Sequence, residues 1–335
     1  MQIINPYIYH QLVSPQFLSQ ILALSKILPA FSYGGFESHL GSKQSQVDFF
    51  VRYFSNQAIN DLLNYYQWEP LKNLAQEWAD IKSPLHQKFT DIWLEFDINE
   101  QSLQRLIPGI FFTLNKQIDK NIPELTQQAL RLLSRPIPSK LESNLKLCVD
   151  CLPKGASFLH IGIMLSRPHQ AIRLDVAGIA FDRVLDYLRE IGWIAQTNRL
   201  RSLIADLSNF ADHIHLAFDV GDTIFPRIGL ECFLKQQPKY EPRWQLFLDY
   251  LVKQELCTPA KQNALLSWPG FSQIKSNHVS RDDYILGNKG INILGRSISH
   301  IKIVEQPNFP LEAKAYLAIA QRWFEPDLLP EKEAN

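Results

Sequence analysis

The chain has 335 residues, 46% hydrophobic and 20% charged, and its 34 basic residues are balanced by 34 acidic ones. That composition fits one large globular domain or two ordinary ones, and the charge balance argues against a nucleic-acid coat or a polybasic membrane binder. No apolar run approaches the roughly 20 residues of a membrane-spanning helix. The opening MQIINPYIYHQL lacks the basic and apolar regions of a signal peptide, and four cysteines are too few for a disulfide framework, so the expected location is the cytoplasm.

Taken in chain order, residues 1–32 read as a helical segment, a candidate plug for one end of the adjoining domain. Residues 36–52 are two alternating runs around a Gly/Ser turn, the pattern of a β-hairpin, followed by two helical stretches, NQAINDLLNYYQ and PLKNLAQEWADI. The same order returns at 92–115 (WLEFDI, PGIFFTLN), at 158–177 (FLHIGIML, AIRLDVA) and at HIHLAFDVGDTIFPRIGLECFL, each hairpin followed by two helical stretches. The fifth copy is ragged: SHIKIVE reads as a strand, LEAKAYLAIAQRWF as a helix, and the first strand falls within DDYILGNKGINILG. Five such units in residues 33–325, with a polar tail at 326–335, predict an α+β fold of five ααββ repeats. Their ten antiparallel strands close into a barrel with the helices outside, because closure removes both exposed edges. The competing architecture is two α+β domains divided near 195–200.

In a helix-coated barrel the apolar side of each strand faces the helices and the alternate side faces the lumen. The outward set includes Val47, Phe49, Leu94, Phe96, Leu159, Ile161, Leu174, Leu230 and Ile301. The inward set is crowded with ionisable groups: Glu37, His39, Asp48, Arg52, Glu95, Asp97, His160, Arg173, Asp175, His215, Asp219, Arg227, Glu231, His300 and Lys302. Trp93, Phe111, Met164 and Phe233 stand among them. On an open sheet this face is simply solvated. Inside a closed barrel, charges in such numbers call for a ligand that is partly anionic and partly apolar.

A cylinder of ten strands from five α-β-β-α units resembles the ABBA (PT-barrel) aromatic and peptide prenyltransferases, over most of residues 33–325. The resemblance implies a transferase moving a prenyl group from a prenyl diphosphate to an aromatic or peptide side-chain acceptor within the lumen, as in natural-product biosynthesis. It implies that Arg52, Arg173, Arg227 and Lys302, on second strands of their units, bind the diphosphate. Glu95 or Asp97 would take the acceptor's proton. Trp93, Phe111, Met164, Phe233, Glu231 and His160 would shield the cation and form the acceptor pocket. The indole enzymes also carry Lys-x-Tyr pairs on inner strands, and IRLDV, RIGLEC and IKIVE contain none. The excess of lumen carboxylates suits Mg²⁺, with Asp175 and Asp219 as candidate ligands, or a cationic acceptor such as a guanidinium or imidazole group.

Two other readings use the same repeats. A guanidine-modifying enzyme of pentein type needs a nucleophilic cysteine near the chain's end, for which Cys257 is the candidate, and a non-catalytic binding barrel for a small molecule or peptide needs no such group. Cys148 and Cys151 form a C-x-x-C pair without a second pair at zinc spacing, and read as core thiols. The common nucleotide-binding, serine-hydrolase and zincin motifs are absent.

Overall fold

A computed structural model describes residues 10–29, 31–42, 46–54, 69–98, 107–115, 121–165, 171–195, 197–273 and 291–324. The helix expected in NQAINDLLNYYQ, the turn at SRPHQ and the polar tail lie outside them. The described elements are α1 (Pro15–Ser25), β1 (Tyr33–His39), β2 (Val47–Phe54), α2 (Glu69–Ala79), α3 (Pro84–Lys88), β3 (Phe89–Ile98), β4 (Gly109–Leu114), α4 (Ile122–Leu132), α5 (Leu141–Asp150), β5 (Ser157–Met164) and β6 (Ile172–Ala177). They continue with α6 (Val184–Glu190), α7 (Thr197–Leu207), β7 (His213–Val220), β8 (Ile224–Phe233), α8 (Arg243–Lys253), α9 (Pro259–Ser267), β9 (Gly270–Gln273), β10 (Ile291–Glu305) and β11 (Glu312–Phe324).

Each strand from β2 to β8 pairs antiparallel with its predecessor, β8 pairs with β10, β10 with β11, and β11 returns to β1. That closes a ten-stranded cylinder, and the short β9 adds to the outer half of β10. The two-domain division is therefore not observed. Several helices start where the sequence places a hydroxyl before proline. Ser14, Ser83 and Thr258 accept from the backbone N–H of Phe17, Leu85 and Lys261, and the adjoining proline needs no donor there. The outward strand side chains are buried beneath the helices: Phe36, Phe49, Phe96, Leu174, Leu230 and Ile301 are fully covered. Each such large side chain contributes about 1.5–3 kcal/mol by leaving water.

Three expectations change. LEAKAYLAIAQRWF is not a helix but β11, the strand that closes the barrel. The first strand of that unit and SHIKIVE are one long strand, β10, interrupted by a register shift between Ile298 and His300. The segment around α1 is not a plug: Ser38, on the outer side of β1, donates to the Leu12 carbonyl, and Tyr53 on β2 donates to that of Pro29. Residues 10–29 are thus held against the barrel's exterior.

Candidate active site

Register places the inner side chains in rows that run across the strands. One row reads Tyr33, Arg52, Trp93, Phe111, Gly162, Arg173 and Asp219, each opposite the next. Gly162 carries no side chain because the Phe111 ring and Arg173 Cβ occupy the place a Cβ would take. A neighbouring row reads Gly35, Phe50, Glu95 and Gly109. These rows enclose a cavity of about 310 Å³.

The cavity wall includes Arg52, Trp93, Glu95, Phe111, His160, Arg173, Asp175, Glu231, Phe233 and Lys302, so ten sequence-selected side chains come together. Asp97, Met164, Arg227 and Asp219 stand elsewhere. Asp97 lies opposite Asp48, one row from the cavity. Met164 covers Gly109 at the end of its strand. Arg227 borders a small recess next to Asp219, with its Nη2 3.8 Å from Glu312. Leu159 moves the other way: a register shift between Phe158 and His160 turns it from the expected outer face into the cavity wall.

Arg52, Arg173, Lys302 and Lys314 each have a carboxylate partner. Arg173 holds Asp219 through Nε at 2.8 Å and Nη2 at 3.0 Å. Lys302 Nζ is 2.9 Å from Glu231, and Lys314 donates to Glu37, which also accepts from the Tyr316 hydroxyl. Burial opposes the ionisation of Glu37, but Lys314 and Lys302 outweigh it and hold the carboxyl well below the usual range. Arg52 Nη2 is 2.7 Å from Asp91, while Arg52 Nε is buried with no hydrogen-bond partner. The same guanidinium lies 4.5 Å from the Phe54 ring centroid and 5.0 Å from that of Trp93.

Sequence reading missed Tyr33, Asp91, Thr113, Lys314 and Tyr316. The last two matter most. Lys314-Ala315-Tyr316 on β11 is a Lys-x-Tyr pair on an inner strand, within the segment whose sequence pattern predicts a helix. Tyr316 stacks on His300 at 4.2 Å, and His300 in turn lies 4.8 Å from Phe233. Trp93 meets Tyr33 edge-on at 5.5 Å and Phe50 at 5.7 Å. The cavity therefore has aromatic faces on both sides of its charged groups.

A histidine pair occupies one side. His160 Nδ1 is 2.9 Å and His215 Nδ1 3.6 Å from Asp175 Oδ2. Burial disfavours the Asp175 anion, but the hydrogen bond with His160 and the nearby His215 ring prevail and hold its carboxyl very low. Burial likewise disfavours charged His215, yet Asp175 raises its pKa above the ordinary imidazole value. Burial pushes His300 down to about 4.

None of the four cysteines lines this cavity. Cys257 is buried and its thiol is pushed up to about 11, the opposite of what a nucleophile needs, so the site does not resemble the pentein arrangement. Cys148 is a buried core thiol, pushed up to about 12, and neither it nor Cys151 forms a disulfide.

No family model matches the chain, and no curated protein sequence does. Solved structures do. The chain is similar to 5-dimethylallyltryptophan synthase from Streptomyces coelicolor, with TM-score 0.54 and 10% identity over 91% of this chain and 92% of the other. It is similar to AnaPT from Neosartorya fischeri, with TM-score 0.53 and 13% identity over 99% of this chain and 92% of the other. The prenyltransferase PriB gives 0.53 and 12%, over 91% of this chain and 90% of the other. At these identities the likeness is one of architecture: this chain has the closed ten-stranded PT-barrel fold of the ABBA prenyltransferases.

Proposed function

We propose that the protein transfers a prenyl group from a prenyl diphosphate to an aromatic acceptor, free or within a peptide, in the barrel cavity. The observation that carries this reading is the wall itself, where Arg52, Arg173 and Lys302 share one enclosed space with Trp93, Phe111, Phe233 and Tyr316. The buried, unpartnered Nε of Arg52 is a donor in want of an acceptor, and an anion would supply one. The neighbouring folds add support: one PriB structure holds product diphosphate, and one of the Streptomyces coelicolor synthase holds DMASPP and tryptophan. The corresponding role is modification of a natural product or peptide in the cytoplasm.

In this scheme the bond between the prenyl carbon and the diphosphate oxygen breaks, and Arg52, Arg173 and Lys302 stabilise the charge that grows on the leaving oxygen. Their carboxylate partners fix their orientation and leave further N–H groups for the ligand. The allylic cation lies between aromatic faces, each contributing about 1–2 kcal/mol when desolvated. It bonds to the acceptor ring, which then loses a proton to a base. His160 suits that role better than Glu95, because Asp175 fixes His160 through Nδ1 and leaves Nε2 for the acceptor. Asp97, the other carboxylate expected as a base, stands outside the cavity wall. Of the candidate Mg²⁺ ligands, Asp219 is engaged by Arg173 and Asp175 by two histidines, so the pair does not form a joint metal site.

The test is turnover of dimethylallyl diphosphate with tryptophan, tyrosine, indole and tryptophan-containing peptides. Arg173→Ala and Lys302→Ala should each lose on the order of 10²-fold in kcat/KM, while Ile81→Ala, at an exposed position, should match the wild type. His160→Gln should slow ring deprotonation and expose a primary isotope effect with a ring-deuterated acceptor, whereas Glu95→Gln should not. Saturable binding without turnover of any acceptor would favour the non-catalytic binding barrel. Full activity in both cation variants would refute the assignment of the diphosphate site.

A further inference from the structure

We propose that Asp48, Glu95 and Asp97 form a binding site for one divalent cation of the Mg²⁺, Ca²⁺ or Mn²⁺ class at the margin of the cavity. The first observation is register. Glu37 lies directly opposite Asp48, and Asp48 directly opposite Asp97, so three carboxylates stand in one row across β1, β2 and β3. Like charges in direct cross-strand opposition destabilise a sheet unless something positive stands between them. Glu37 has such a partner in Lys314.

The second observation is independent of the first. Asp48 is 2% exposed, and its Oδ1 is buried without a hydrogen-bond partner. A carboxylate oxygen in that position is costly unless a cation or proton meets it. The spacing suits a metal ion. One oxygen from each of Asp48, Glu95 and Asp97 lies within 4.8 Å of the others. Two oxygens bound to one ion at about 2.1–2.4 Å are separated by about 3–4.8 Å. A second trio also contains Asp48, with Glu37 and His39, but there the Lys314 ammonium already stands against Glu37 and would repel a second cation. An all-oxygen set selects a hard cation rather than zinc or copper.

The occupant is an ion rather than a guanidinium or imidazolium group of an acceptor. Glu95 lines the cavity, whereas Asp48 and Asp97 do not, so an organic cation reaches only one of the three carboxylates. Glu95 would connect the ion to the cavity, placing two positive charges beside a lumen whose lysines and arginines already face carboxylates. That consequence rests on the prenyl-diphosphate reading; the ion site itself does not.

The experiment is binding of Mn²⁺, followed by electron paramagnetic resonance, and of Ca²⁺ and Mg²⁺, followed by calorimetry, to the full chain without any prenyl substrate. The wild type should bind one ion per chain and melt at a higher temperature with it. Asp48→Asn and Asp97→Asn should lose both effects, and Glu95→Gln should weaken binding at least tenfold. In metal-free buffer Asp48→Asn should melt no lower than the wild type, because it relieves the opposed charges. Either asparagine variant alone suffices if the other does not fold. No saturable binding, or binding undiminished in these variants, would overturn the proposal and leave a shared proton as what meets Asp48. Ion binding without prenyl turnover would instead count against the transferase reading alone.

Discussion

Asp91 sets the orientation of much of the cavity wall from behind it. It is fully buried, and its carboxylate accepts from Arg52 Nη2 at 2.7 Å, Trp93 Nε1 at 2.6 Å, Thr113 Oγ1 at 2.5 Å and Thr90 Oγ1 at 2.8 Å. One side chain thereby fixes a guanidinium and an indole that both face the ligand space. Burial works against the Asp91 anion, but the hydrogen bonds and the Arg52 charge prevail and hold its pKa below the ordinary value. A carboxyl depressed in this way stabilises the fold above its unfolded-state pKa, and the contribution is lost as pH falls through the folded-state value. Asp91→Ala should cost about 3 kcal/mol near neutrality by leaving Arg52 without its partner. Melting temperatures between pH 7 and pH 3 provide the check: the gap between wild type and variant should narrow toward the acid end. A constant gap would mean that Asp91 acts through packing alone.

At the scale of the strand, alternation made most of the inner face legible. Asp48, Arg52, Glu95, Arg173, Glu231 and Lys302 all point inward because period 2 leaves a half-covered strand little choice. β11 escaped that reading because AKAYLAIA is rich in alanine and leucine, strong helix formers. The alternation was present, with Lys314 and Tyr316 against the buried Ala315, Leu317 and Ile319, but small outward residues diluted it. Pairing between two long neighbours decided the segment's structure. Ion-pair partners were not legible for another reason, since Arg52 with Asp91 and Glu37 with Lys314 depend on strand register. Two glycines separate the strand's needs from the site's. At Gly35 a Cβ would strike the Leu317 carbonyl oxygen and the Phe50 ring, whereas at Gly229 it would meet only the flexible Lys302 side chain. Gly35→Ala should therefore cost at least about 2 kcal/mol of stability, measured by urea unfolding. Gly229→Ala should melt close to the wild type while raising KM for the prenyl diphosphate by displacing Lys302.

At the scale of the whole molecule, closure turns a charged sheet face into an enclosed site, and closure runs through β11. Ala318 shows the dependence, because it lies opposite Gly35 on one side and Ser297 on the other. A strand paired on both sides uses every backbone N–H, and proline removes one donor and adds a ring where the neighbouring strand lies. Ala318→Pro should therefore cost about 3 kcal/mol or more and part β11 from a neighbour, leaving an unpaired edge and admitting water to the lumen. Hydrogen exchange should show the amides of β1, β10 and β11 losing protection together, while those of β5 to β8 keep it. If β11 served only as a cover over an otherwise independent sheet, β1 and β10 would remain protected. In a closed cylinder they cannot, because β11 is the link that gives both strands their second neighbour.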